Sequence, residues 1–267
     1  MPVAGRTFAT AVLRPLAEQL AGVAAVGAGE RVLELSAGDG ELTARLLSAP
    51  SAPALTVVVA DEQSANRLPS ALGPARAGDA PGPAHAGDAL GPAAVEAVIA
   101  PARQLPFADN TFDLAVSLLA IESRDQLTAA LTELARVARR ARVVLWTDGA
   151  THETALRDAW RDVRRNVATD ENVMRDAGQD QSLGDAANVT VVPTPLPPGW
   201  TQSTLADVAR FDGITQLWLA LITERGIEVP PTQERHLRAR LEHHVLQYTA
   251  ADGTMRIPVR ATLLTLQ

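Results

Sequence analysis

The stretch Val32-Leu33-Glu34-Leu35-Ser36-Ala37-Gly38-Asp39-Gly40 joins a short apolar strand to a turn of tiny side chains that opens onto a helical run, Glu41–Leu47. A turn of this composition lets backbone approach a ligand closely. Taken alone it is shared by dinucleotide folds and by ordinary tight turns. Asp61 adds chemistry, because it ends the next strand, residues 55–60. A carboxylate there can accept both hydroxyl hydrogens of a ribose, and it can equally cap the helix that follows. A nicotinamide dehydrogenase would want a third glycine three positions after Gly40, and Thr43 stands there instead.

These groups need a scaffold, and the apolar pattern supplies one. Residues 7–28 carry Phe8, Val12, Leu13, Leu16, Leu20 and Val23 at helical spacing, which predicts an amphipathic N-terminal helix. Arg14, Pro15, Glu18 and Gln19 break the run, leaving no apolar core of secretory or membrane-spanning length, so a cytoplasmic protein without a membrane partner is expected. Strands follow at Arg31–Leu35, 55–60, 94–99, Phe112–Leu118 and 142–146, with helices after the first two and an amphipathic helix over 126–139. Strands alternating with helices imply a parallel sheet covered on both faces, with a ligand crevice at the strands' C-terminal ends.

The later chain is patterned differently. A polar, helix-compatible segment over 151–180 and a proline-rich connector over 191–200 precede a strand at 204–210, helices at 213–224 and 232–247, and a last strand, Met255–Leu266, entered by the Asp252-Gly253 turn. Residues 73–92 contain a tandem repeat, GPARAGDAP then GPAHAGDAL, whose Gly, Pro and Ala cannot bury a core. The reading is one domain over 1–267: an entry helix (1–28), a ligand-binding core (29–149) with a flexible insertion (73–92), a cap and late strand (150–250) and a closing strand (251–267).

Composition narrows the chemistry. The net charge is −7 with scattered arginines, which argues against a nucleic acid partner. The chain has no cysteine, removing disulfides, thiolate nucleophiles and cysteine zinc sites, and no metal centre is expected. It has no lysine, which removes Schiff-base chemistry.

Leu105-Pro106-Phe107-Ala108-Asp109-Asn110-Thr111-Phe112-Asp113 resembles the LPF-x-D-x-x-FD signature of class I S-adenosylmethionine-dependent methyltransferases of the methyltransferase-11 type. Residues 8–20 look like that family's entry helix, Glu133 with Arg136-Val137 like its E-x-x-RV helix, Trp146 like the strand end after it, and residues 253–266, with Ile257-Pro258, like its closing strand. The resemblance implies an α/β, Rossmann-like, seven-stranded sheet, mostly parallel with an antiparallel last strand, helices on both faces and a helical cap. It also implies S-adenosyl-L-methionine as cofactor. Glu34, Ser36, Ala37, Gly38, Asp39 and Gly40 would surround its methionine part, Asp61 and Glu62 would lie at its ribose, Ala102 and Arg103 near its adenine, and Ser117 and Leu118 beneath its sulfonium. Such an enzyme transfers methyl to a small organic acceptor, with a secondary metabolite and a homodimer among the expectations.

The chain also departs from that pattern. Ser36 replaces the loop's first glycine, Pro101 stands where an aspartate usually pairs with the adenine amino group, Arg139-Arg140-Ala141 replaces a Pro-Gly-Gly turn, and Glu122 and Ser123 replace two histidines. Loss of the adenine contact costs about 1–3 kcal/mol. Two alternatives follow: a catalytically inactive binding or partner protein, and an S-adenosylmethionine-dependent enzyme that does not methylate. Candidate proton acceptors are few. His152, just beyond the fifth strand, can act as a base if held neutral, or be a surface histidine; Glu122 is a catalytic carboxylate or a helix cap. His243 and His244 read as a solvated helix face, since adjacent residues diverge on a helix, and Tyr248 as packing. Trp146, Trp160, Trp200 and Trp218 divide between core and an apolar acceptor pocket, which suits a hydrophobic natural-product or quinone-like substrate.

Overall fold

The computed structural model describes residues 7–36, 40–49, 53–72, 95–121, 124–146, 151–167, 195–223 and 227–267. The 73–92 repeat therefore lies outside the described residues, as do the tail of the 151–180 segment and residues 191–194 of the proline-rich connector.

Seven strands form one sheet: β1 (Arg31–Leu35), β2 (Ala54–Val59), β3 (Val95–Ile99), β4 (Phe112–Leu118), β5 (Ala138–Trp146), β6 (Trp200–Phe211) and β7 (Met255–Leu266), in the order β3-β2-β1-β4-β5-β7-β6. Six run parallel and β7 runs antiparallel, as its pairing of Ala141 with Leu266 and Trp146 with Ala261 shows. The helices are α1 (Arg14–Ala24), α2 (Glu41–Leu47), α3 (Glu62–Leu72), α4 (Arg124–Val137), α5 (Thr151–Val167), α6 (Ile214–Trp218) and α7 (Pro231–Val245). The expected Rossmann-like fold is borne out.

By compactness the described residues divide in two. One unit comprises those within Leu13–Thr147, Thr190–Leu205 and Ala261–Gln267; the other comprises those within Met1–Val12, Asp148–Val189 and Ala206–Arg260. In the first, strand alternation sends Leu33, Leu35, Val58, Ala115, Val143 and Leu145 to one face, where Leu127, Leu131 and Leu134 of α4 cover them. The other face takes α1, which packs on β4 and β5 through a stripe that buries Leu16, Ala17, Leu20 and Ala24. Val23 does not join that stripe and is exposed.

In the second unit α5 packs along α7. Ala155, Leu156, Ala159, Trp160 and Val163 are buried on the former, and Leu237, Leu241 and Val245, spaced four apart, on the latter. His244 does not lie on a solvated face: its Nε2 stands 3.0 Å from Asp162 Oδ2, while His243 is exposed. Trp160, Trp200 and Trp218 are all buried, and Trp146 is half-buried. Among the described residues no helix is long and apolar enough to cross a membrane.

β5 begins four residues before the expected 142–146, directly after Val137, so Arg139-Arg140-Ala141 is strand and not a turn. Arg140 explains the extension. Its guanidinium donates to both Glu30 oxygens at 2.7 and 2.6 Å and to the Ala24 carbonyl at 2.7 Å, while Glu30 also accepts the Gly27 N–H at 2.8 Å. The bidentate pair ties the end of α1, where Ala25 takes the left-handed conformation at φ +47°, to the start of β1. Replacing Arg140 with leucine strands a half-buried carboxylate. The expected outcome is a loss of about 2 kcal/mol, read as a lower urea midpoint with an unchanged slope.

Candidate functional site

β1 lies between β2 and β4, in register with both: Leu35 pairs with Val58 on one side and with Ser117 on the other. The strand ends are therefore level, and each is tied to its neighbour just past the ladder. Ser36 N–H donates to Val58 O at 2.9 Å, Ala100 N–H to Val59 O at 3.0 Å, and Leu119 N–H to Val144 O at 2.9 Å. This level row is where parallel sheets present ligand-binding groups.

Glu34 is buried one residue before the end of β1, and its Oε2 accepts a 2.7 Å hydrogen bond from the hydroxyl of Thr43, which is fully buried in the first turn of α2. Ser36 is buried at the strand end, and Gly40 takes φ +74° to open α2, a conformation that suits glycine. Ala37, Gly38 and Asp39 lie outside the described residues. Asp61 caps α3: its Oδ1 accepts the Ser64 N–H at 2.7 Å and its carbonyl accepts the Ala65 N–H at 3.1 Å. The side chain is exposed beside exposed Glu62, so capping leaves the carboxylate open to solvent. Pro101 begins a turn closed by the Gln104 N–H on its carbonyl at 2.9 Å; within that turn Ala102 is half-buried and Arg103 exposed. Ser117 and Leu118 are buried at the end of β4, and the Ser117 hydroxyl has no partner among the described residues. Glu122 lies outside the described residues. His152 is the second residue of α5, with its side chain outside what is described. Among the described residues no group of three or more His, Asp or Glu is placed to hold a metal ion.

The LPF-x-D-x-x-FD stretch is held by Glu133 and Arg136, one turn apart on α4. Glu133 accepts the Leu105 N–H at 2.8 Å and receives Arg136 at 2.7 and 2.8 Å. Arg136 also donates to Leu105 O at 3.0 Å, to Phe107 O at 2.7 Å and to Asp109 Oδ1 at 3.0 Å, and its own carbonyl accepts the Asn110 N–H at 2.9 Å. Asn110 sits at φ +53°, where asparagine is among the better tolerated residues. Phe107 meets Phe112 edge to face, with centroids 5.0 Å apart. Asp113 accepts the Arg31 N–H at 3.1 Å and pairs with Arg139 at 3.4 Å. The motif is thus a clasp that fixes the β3–β4 connection, which begins with the Pro101 turn.

The methyltransferase-domain family model matches residues 33–145, from β1 to the end of β5. Over this segment the chain is similar to that methyltransferase family. The family resemblance read from the motifs is borne out, and the matched segment takes in the ends of the five parallel strands that form the row described above. The YcgJ protein of Bacillus subtilis shares the fold at TM-score 0.52 and 15% identity, over 94% of this chain and 97% of that one. A protein assigned to the methyltransferases of an antibiotic biosynthesis pathway in Anabaena variabilis does so at TM-score 0.53 and 11% identity, over 95% and 96%. At such identities the likeness is one of fold. No curated protein matches the chain.

The hydrogen bond from Arg136 is the leading cause that holds the Glu133 carboxyl below the usual carboxylate range, outweighing the effect of its burial. A depressed folded value means that its contribution is full above the unfolded carboxylate value and is lost as pH falls through the folded one. Glu133→Gln is therefore expected to be less stable than wild type at about pH 7, and the gap should narrow as pH falls to about 3, measured by urea titration across that range.

Proposed function

We propose that the chain is an S-adenosylmethionine-dependent methyltransferase acting on a small organic acceptor. The observation that carries this reading is the match of a methyltransferase domain to 33–145, the segment whose strand ends hold Glu34, Asp61 and Ser117. The residues present fit such a cofactor at two of its three parts. Asp61, exposed although it caps α3, is suited to the ribose, with Glu62 beside it. The buried Glu34 and the run Ser36, Ala37, Gly38, Asp39 and Gly40 serve the methionine end. The buried Ser117 hydroxyl, without a partner among the described residues, serves with Leu118 the floor below the sulfur.

The adenine side fits less well. Ala102 and Arg103 face that task without an acid, because Pro101 supplies neither a carboxylate nor a backbone donor. That departure favours a second reading, a methyltransferase-fold protein that binds the cofactor weakly or not at all and serves as a binding module.

When bound, S-adenosylmethionine supplies a methyl group already activated on a sulfonium, so the protein's main task is alignment of the acceptor. His152 and Glu122 are the groups proposed to take a proton from that acceptor.

Calorimetry separates the two readings. S-adenosylhomocysteine is expected to bind the wild-type protein, and Asp61→Asn, which preserves helix capping, to weaken that binding about tenfold or more with little change in melting temperature. Absence of binding heat from both S-adenosylmethionine and S-adenosylhomocysteine at millimolar concentration overturns the enzymatic reading.

A further inference from the structure

Glu34 is the one charged side chain buried among the described residues, and its neighbour Thr43 is more buried still. Their 2.7 Å hydrogen bond joins β1 to the first turn of α2 across nine positions of sequence. The Glu34 backbone is fixed independently, since its Cα is in register with Val57 on β2 and with Val116 on β4. A carboxylate taken out of water among apolar side chains is expensive and is a common mark of a binding site.

We propose that Thr43 is a positioning residue: its hydroxyl orients the Glu34 carboxylate toward a cofactor with a cationic amino-acid end. This rests on the reading of the domain as a binder of S-adenosylmethionine and adds to it a specificity device. A buried negative charge near the end of β1 attracts an ammonium group and repels the pyrophosphate that a dinucleotide would bring to the same strand end. The position of Thr43 reinforces the choice. A dinucleotide-binding turn has a glycine there for close packing of helix on strand, whereas here a hydroxyl fills the space and points its hydrogen at the acid. Valine has the shape of threonine without the hydroxyl, so Thr43→Val keeps the shape and removes this bond to Glu34.

Two ligands distinguish positioning from mere stability. S-adenosylhomocysteine carries the amino-acid end, whereas 5′-methylthioadenosine keeps the adenosine and the sulfur but lacks it. Titrated into folded protein, Thr43→Val is expected to lose about tenfold or more in affinity for S-adenosylhomocysteine and to keep wild-type affinity for 5′-methylthioadenosine, with Thr43→Ser restoring the first. Should the valine variant fail to fold, Thr43→Ala is compared with Thr43→Ser in the same way. Equal losses for both ligands, or no loss for either, overturn the proposal while the cofactor reading stands. A wild-type protein that binds neither ligand removes the cofactor reading, and this proposal with it.

Discussion

A parallel strand covered on both faces must satisfy its backbone along both edges, and β1 does so by pairing with β2 and β4 in a single register. The rest of the first unit follows from that constraint. Once Leu35 is set opposite both Val58 and Ser117, the ends of three strands stand level, and the next backbone donors, on Ser36, Ala100 and Leu119, continue the ties between neighbouring strands. Each strand then releases its chain at one edge of the sheet, so Ser36, Asp61, Pro101 and Ser117 come together although they are spread over eighty positions of sequence. Glu34 is the one charged side chain buried among the described residues, and the Thr43 hydroxyl donates to it.

The most family-specific motif turns out to carry architecture rather than chemistry. Leu105 and Phe112 enter the core, Phe107 packs edge to face on Phe112, Asp109 meets Arg136, and Asp113 accepts the first backbone donor of β1. Arg136 alone makes bonds to Glu133, Asp109 and two carbonyls, and so many directional demands on one guanidinium leave few substitutes. Such a motif identifies a fold family sharply while saying little about the substrate. The groups that would touch a cofactor are chemically plainer, and one of them, Pro101, departs from the family pattern.

Strands and helices with strong apolar patterning were legible to the residue: Arg31–Leu35, Glu41–Leu47, Phe112–Leu118 and Met255–Leu266 all stand as read. The start of β5 was not, because arginines at 139 and 140 look like a loop until Glu30, 110 positions earlier, is known to receive Arg140. The same blindness to distant partners hid the role of His244, whose Asp162 lies on another helix, and the clasp between Glu133 and Leu105. β6 runs to both sides of the expected 204–210 because its polar residues Thr201, Gln202 and Ser203 are exposed and give no apolar alternation. At the candidate site the glycine turn and Asp61 were legible from composition and strand-end position. The Glu34–Thr43 bond was not, since it depends on how α2 packs on β1.

The central claim is that the level strand ends within residues 33–145 hold S-adenosylmethionine, with Asp61 at its ribose and Glu34 at its methionine end. A crystal structure of the protein grown with S-adenosylhomocysteine tests this most directly. The account predicts ligand density between Ser36 and Asp61, with the ribose hydroxyls on the Asp61 carboxylate and the ammonium end toward Glu34. Density for the ligand elsewhere, or at the strand ends with the ribose turned away from Asp61, contradicts it.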